Sequence, residues 1–381
     1  MKASHKKDTY EFNFTREKFY LEEMGHRFSK AGPAIIRSCL HSGTSLRRVI
    51  STARVVSKID PLNCFQALST PLTIKMSDSP LAKDWSLDHE TSGALFEPIK
   101  KKDDWLKHRL SEEDIKRYQA NGYINHVQVL THEQCDLLLQ EYRCFMENDL
   151  CQEKMDLLYE YHRNQTGDEN NVLMHALGHW RVSPLFHDLV FLPSVVVKVS
   201  QLLNPGTLTP VRFWHDQLFA KPAKHGGVVA WHQDYSYWTR TRPMQHITVH
   251  IALEDQTEDN GTIQYIPGSH RWNRNGEPLP VLDFNFKDME IIKSILTPEE
   301  LEKFKPVPAN LRKGEASFHH ALSVHGSYEN RSDQPRRAAV LNYFADGTLS
   351  DVNTELLKGS FIPKGQRMSG QLYPLVYSPE W

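Results

Sequence analysis

Trp231-His232-Gln233-Asp234 sets a histidine and a carboxylate two residues apart, and no other His-x-Asp or His-x-Glu triplet occurs among the 20 histidines. On a β-strand side chains alternate, so two residues at that spacing share a face and can reach one ion together. A second histidine-bearing stretch, Phe318-His319-His320-Ala321-Leu322-Ser323-Val324-His325-Gly326-Ser327, brings His325 in 93 residues after His232. Two imidazoles and one carboxylate on one face of a metal leave coordination positions open. That donor set suits non-haem iron(II) and also a catalytic zinc. Arg336 follows His325 by 11 residues, within the strand-like Arg336-Arg337-Ala338-Ala339-Val340-Leu341. A guanidinium facing a barrel interior can hold the far carboxylate of a dicarboxylate through two parallel hydrogen bonds. Arg337 would then face the other way, toward solvent.

The rest of the chain narrows the classes open to such a site. Its 381 residues leave room for a substantial core, and 45 Lys+Arg against 47 Asp+Glu give no basic field to recruit nucleic acid. No uninterrupted apolar run reaches the ~18 residues of a membrane span, so no membrane insertion is expected. Five cysteines, an odd number with no Cys-x-x-Cys pair, read as free thiols of a reducing, intracellular compartment. The cytoplasm is the expected location, with the peroxisome and mitochondrion as alternatives.

The elements that position the site follow an N-terminal break in composition. Residues 24–59 lack Asp and Glu yet carry seven Lys/Arg and six Ser, and Glu11, Glu17, Glu22 and Glu23 precede them. An organellar transit peptide shares that basic, serine-rich composition but is acid-poor from its start. Residues 1–75 are therefore expected to be a poorly ordered or non-functional extension, with Met76 an alternative start and 76–109 a linker. Ser111 with Glu112, Glu113 and Asp114 predicts a helix start, and Asn121-Gly122 its end. Tyr123–Leu130 reads as a strand. Thr131-His132-Glu133-Gln134 reads as a capping box, opening a helix with Cys135, Leu138, Leu139, Tyr142 and Met146 on one face. A further helix is expected after Pro193. Beyond residue 208 the period becomes two, as in Ile247, Val249, Ile251 and Leu253, which predicts a half-buried strand. Thr262–Ile266, Ala316–Val324 and Ala338–Phe344 read as further strands. Helices first and then many short strands imply an α+β protein with a sandwich or barrel at its centre.

Trp231-His232-Gln233-Asp234-Tyr235, Glu258-Asp259-Asn260-Gly261, Tyr265-Ile266-Pro267-Gly268-Ser269-His270-Arg271 and Val324-His325-Gly326-Ser327 occur in that order. With the lead-in Tyr118-Gln119-Ala120-Asn121-Gly122-Tyr123-Ile124, they resemble the phytanoyl-CoA dioxygenase family over roughly residues 110–345. The resemblance implies a double-stranded β-helix, or jelly-roll, core with flanking N-terminal helices, a domain over 110–350 and a C-terminal tail, 351–381, packed on it. It implies an Fe(II)- and 2-oxoglutarate-dependent dioxygenase that uses O2, releases succinate and CO2, and hydroxylates a small-molecule or acyl substrate. Carried over by position, His232, Asp234 and His325 match the iron ligands. Arg336 and Ser327 match the partners of the distal 2-oxoglutarate carboxylate, and Gln217 and His250 fall at further cosubstrate contacts. His319 and His320 would support the ligands or pack beside them. Asn260-Gly261 and Pro267-Gly268 would turn strands, and Tyr235, Tyr237, Trp238, Arg240 and Arg242 would line a substrate mouth, with core packing the equal alternative for the aromatic residues among them. The competing readings are a non-catalytic jelly roll that binds metal or dicarboxylate, and a zinc hydrolase on the same ligands.

Overall fold

The computed structural model describes residues 83–146, 152–282 and 288–381, so the expected extension over 1–75 lies outside the described residues. A short helix, α1 (Lys102–Leu106), leads to α2 (Glu112–Asn121). Ser111 accepts the Asp114 N–H, three acidic residues face the positive end of the helix dipole, and Gly122 closes the helix at φ 83°. β1 (Tyr123–Gln128) and α3 (His132–Met146) follow. The Gln134 N–H donates to Thr131 Oγ1 at 3.2 Å and the Thr131 N–H to Gln134 Oε1 at 2.9 Å, the reciprocal pair that opens α3.

Next come α4 (Gln152–Leu157), β2 (Glu160–His162), β3 (Met174–Leu177), α5 (Pro184–Val190) and α6 (Pro193–Leu203). Proline at the first helical position costs α6 no hydrogen bond. The 20 residues Pro184–Leu203 match a membrane span in length and composition, yet 89% of that window is buried inside the fold.

Strands then dominate: β4 (Val211–Lys221), β5 (Val229–His232), β6 (Thr241–Arg242), β7 (His246–Ala252) and β8 (Gln264–Tyr265). After α7 (Pro298–Glu302) come β9 (Val307–Pro308), β10 (Glu315–His320) and β11 (His325–Ser327). β12 (Arg336–Ala345), β13 (Leu349–Ser350) and β14 (Leu375–Tyr377) complete the series. A large sheet runs β1-β10-β7-β12-β4-β3-β2, with β14 also paired to β4. A small sheet runs β5-β11-β8-β9, and β13 pairs with β6. The two main sheets face each other, as the Tyr265 hydroxyl shows by reaching Ser317 Oγ across the gap at 2.6 Å. The fold is the α+β jelly roll, with the early helices laid on the outer face of the large sheet.

Alternation along the strands sorts this core from the cavity. Ile247, Val249 and Ile251 turn outward and pack with Val195, Val199 and Leu202 of α6, together with Phe318, Ala339, Leu341 and Tyr343. Their neighbours His246, Thr248 and His250 turn inward. β7 is consequently buried on both faces, not half-buried as its alternation predicts, because the small sheet covers its polar face. The expected strand Ala316–Val324 is broken: β10 ends at His320, and residues 321–324 turn the chain into β11 of the other sheet. Arg337 does face away from Arg336, but not into solvent. Its guanidinium donates to Glu254 Oε1 at 2.7 Å and lies 5.3 Å over the Tyr142 ring.

Candidate metal and cosubstrate site

β5 stops at His232, and Asp234 begins a short 3₁₀ turn, but Gln233 between them keeps an extended backbone. The alternation therefore survives. Gln233 points into the small sheet's own core, where its amide donates to the Trp272 and Leu322 carbonyls and accepts the Leu279 N–H. Three bonds at 2.7–2.8 Å lock it there and so aim His232 and Asp234 at the opposite, inner side. β11 supplies His325, whose backbone pairs with that of His232.

Donor atoms of His232, Asp234 and His325 lie within 4.8 Å of one another. The His232 and His325 Nε2 atoms stand 3.4 and 3.6 Å from Asp234 Oδ1. Each ring is anchored from behind by the chain next to it: His232 Nδ1–H donates to the Ala230 carbonyl at 2.7 Å, and His325 Nδ1–H to the Ser323 carbonyl at 3.0 Å. Those bonds fix the tautomer that leaves both Nε2 lone pairs facing one point, as metal-binding imidazoles require. Burial and the neighbouring His232 hold the His325 imidazolium well below its ordinary range, so the ring is neutral. Burial alone would raise the Asp234 carboxyl. The histidines beside it, His325 first, outweigh burial and hold the group well below the usual carboxylate range. Two imidazole nitrogens and one carboxylate fit a divalent cation and leave part of its coordination sphere open.

The large sheet braces the carboxylate. Asp234 Oδ2 accepts the Thr248 hydroxyl at 2.6 Å and His319 Nε2–H at 3.0 Å, which leaves Oδ1 for a metal. His319 Nδ1 in turn accepts the Tyr265 hydroxyl at 3.0 Å. His319 thus supports a ligand, while His320 packs against the His270 ring and accepts the Leu322 N–H.

Two buried cations stand together on the strands beyond the three donors. Arg336 is 2% exposed, and its Nε and Nη2 donate to the Gly261 carbonyl at 3.1 and 2.7 Å. Gly261 sits at φ 76°, and a Cβ there would come within 2.6 Å of the Tyr328 carbonyl, so this turn needs glycine. Arg336 Nη2 also reaches Ser327 Oγ at 3.3 Å. Lys221 is the Cα partner of Arg336 across β4 and β12, and it is completely buried. Among the described residues no carboxylate forms an ion pair with either cation. Burial lowers the Arg336 guanidinium to about 10, and burial with Arg336 beside it pushes the Lys221 ammonium well down. Isolated buried charges cost several kcal/mol each, a cost that an anionic ligand offsets.

His325 and Ser327 share the inner face of β11, because Gly326 between them faces Met289 and Trp231. Strand geometry sets their Cα atoms about 6–7 Å apart, a span that suits a five-carbon diacid chelated at one end. Of the other expected cosubstrate contacts, His250 lies across β7 and β12 from Val340 and donates Nε2–H to Gln256 Oε1 at 2.9 Å. Burial, then Arg336, lowers it to about 3. Gln217 Oε1 accepts His175 Nε2–H at 2.9 Å, and no described residue takes up the Gln217 amide hydrogens.

The expected substrate mouth divides. Tyr235 and Trp238 are core, packed with Trp214, Phe344, Leu356, Met368 and Tyr373. Arg242 is taken up by Glu277 and Asp351 at the surface. Tyr237 stands edge-on to the His232 ring at 5.6 Å, and half-buried Arg240 donates to the Glu355 carbonyl at 2.9 Å. Lys221, Thr248 and Tyr265 were missed. Thr248 had a signal in its place one alternation from His250, whereas Lys221 had none, since its neighbourhood depends on pairing β4 with β12.

A family model for phytanoyl-CoA dioxygenase matches residues 118–338. The chain belongs to the phytanoyl-CoA dioxygenase family. It is 31% identical over 199 residues to the phytanoyl-CoA dioxygenase domain-containing protein 1 homolog of Caenorhabditis briggsae, covering 51% of this chain and 64% of that one. To phytanoyl-CoA dioxygenase domain-containing protein 1 of Danio rerio it is 24% identical over 273 residues, covering 60% and 87%. Among solved structures, the non-heme alpha ketoglutarate dependent carbocyclase SnoK of nogalamycin biosynthesis superposes with TM-score 0.58 at 21% identity. The superposition covers 74% of this chain and all of SnoK, a likeness of fold. Iron(II), 2-oxoglutarate and O2 are the cofactor and cosubstrates of the phytanoyl-CoA dioxygenase family.

Proposed function

We propose that this protein is an Fe(II)- and 2-oxoglutarate-dependent oxygenase that hydroxylates a small-molecule or acyl substrate, with His232, Asp234 and His325 holding the iron. One observation carries the reading: a three-donor facial set and a buried guanidinium with no carboxylate partner among the described residues are linked through β11, where His325 of the set lies two residues before Ser327, which Arg336 touches. A zinc hydrolase has no use for Arg336, and a non-catalytic jelly roll that binds metal or dicarboxylate needs one of the two sites and not both.

When bound, Fe(II) with 2-oxoglutarate couples activation of O2 to decarboxylation of the cosubstrate, giving succinate and CO2. The chain's own residues supply the geometry. Ala230 and Ser323 carbonyls hold the two imidazoles in register, and Thr248 with His319 stops the Asp234 carboxylate from rotating. Arg336 and Ser327 bind the distal carboxylate, which fixes the other end of the cosubstrate at the metal. Tyr237 packs edge-on against the His232 ring. The test is succinate release by the iron-loaded protein under O2, across a panel of acyl thioesters, free acids and amino acids. The expected result is iron-dependent succinate and CO2 that one substrate class stimulates. No 2-oxoglutarate turnover with any of them overturns the reading.

A further inference from the structure

Lys221 ends β4 opposite Arg336, wholly buried, and as an ammonium, the form that a carboxylate bound beside it favours, it has three hydrogens to place. They find three acceptors: the Tyr328 carbonyl at 2.5 Å, the Ser327 carbonyl at 3.3 Å and Ser327 Oγ at 2.6 Å. Lys221 is thereby saturated and has nothing left with which to touch a ligand. The consequence falls on Ser327. A hydroxyl has two lone pairs and one hydrogen, and here one lone pair takes Lys221 and the other takes Arg336 Nη2 at 3.3 Å. The hydroxyl hydrogen has no acceptor among the described residues and is free for a ligand.

We infer that Lys221 is a positioning residue that commits Ser327 to donate its hydroxyl hydrogen to the distal carboxylate of the cosubstrate. The inference rests on the reading of the cavity as a 2-oxoglutarate site. The groups facing Lys221 agree with it. Arg336 and Lys221 bring two positive charges to one place, His250 beside them is neutral, and Glu329 acts on Lys221 without pairing with it. A carboxylate at that place opposes the effect of burial and of Arg336 on the ammonium. A ligand without a distal carboxylate leaves the pair of cations uncompensated.

The experiment compares 2-oxoglutarate with pyruvate, which presents the same 2-oxo acid to the metal but lacks the distal carboxylate. Binding of each to the Fe(II)-loaded full chain is measured anaerobically by calorimetry, for the wild type, Lys221→Met, Ser327→Ala and the double variant. Iron content and thermal unfolding are followed in parallel. The expected result is roughly tenfold or more weaker 2-oxoglutarate binding in each single variant with pyruvate unchanged, and no further loss in the double variant, as for two residues acting as one unit. Equal weakening of both ligands, or additive losses, overturns the inference. If Lys221→Met does not fold, Ser327→Ala decides alone: unchanged 2-oxoglutarate binding there overturns it. A wild type that binds pyruvate but gains nothing from the distal carboxylate also overturns it. A wild type that binds neither ligand brings down the reading of the site itself.

Discussion

The small sheet and the large sheet meet at one cavity and contribute to it by different physics. In the small sheet each histidine is held by a carbonyl two residues away, His232 by Ala230 and His325 by Ser323. The large sheet assembles its share across strands: Lys221 of β4 against Arg336 of β12, and Thr248 of β7 and His319 of β10 onto one carboxylate oxygen. Local anchoring makes donors that survive small shifts of the fold, whereas cross-strand assembly depends on register, where a slip of one residue reverses every side chain.

That contrast ranks the consequences of mutation. Removing a donor from the small sheet should have the largest effect: His232→Ala, His325→Ala and Asp234→Gly each lose bound iron and all succinate formation, read as metal per chain. His319→Ala, which removes only a brace, should keep iron near one per chain and weaken its affinity ~10–100-fold. If His319→Ala lost its iron and His325→Ala kept it, the third ligand would be misassigned.

Next come the neighbours Arg336 and Arg337, which the strand sends to opposite faces. Arg336→Ala should weaken 2-oxoglutarate binding by ~2–5 kcal/mol, leaving a buried carboxylate without its charge partner. Arg337→Ala should leave that affinity alone and cost about 1 kcal/mol or less in stability, since its pair with Glu254 is partly exposed. Equal losses of affinity would mean that the phase of β12 is inverted. A smaller effect is expected from Thr248→Val. It takes one of two donors from Asp234 Oδ2 and should lower iron affinity by ~1–3 kcal/mol without changing the pyruvate to 2-oxoglutarate preference.

The last effect is distributed over many sites. Burial lowers His175 and His320 to about 4, and His215, His246 and His250 to about 3, against 6.5 when unfolded. A depressed folded pKa gives stability that is present above the unfolded value and lost as pH falls through the folded one. The metal-free protein should therefore unfold at progressively lower temperature between pH ~6.5 and ~3. Asp216 works the other way: burial raises it to about 7, so its contribution is full below 3.8 and is lost as pH rises past 7. Five histidines outweigh one carboxyl. A melting temperature that is flat from pH 7 to 4 would contradict the burial of these rings.

What could be read in advance follows the same division. The caps at Ser111 and Thr131, the start of α6 at Pro193 and the inward phase of His246, Thr248 and His250 are local signals in spacing and turn chemistry. So is the meeting of His232, Asp234 and His325, once the alternation through Gln233 is trusted. The break between His320 and His325 was not legible, because what stops β10 is the need to cross to the other sheet. The Arg337–Glu254 pair, the core burial of Tyr235 and Trp238 and the saturation of Lys221 depend on which strands become neighbours, and one strand's sequence does not carry that.

Whether both sheets build one site for one metal and one 2-oxo diacid is decided by an anaerobic titration of the Fe(II)-loaded chain with 2-oxoglutarate, followed by visible charge-transfer absorption. The expected band saturates at one equivalent per iron, is absent in Asp234→Gly and needs far more cosubstrate in Arg336→Ala. A wild-type chain that holds iron but shows no band, or a band unmoved by Arg336→Ala, would contradict a shared site.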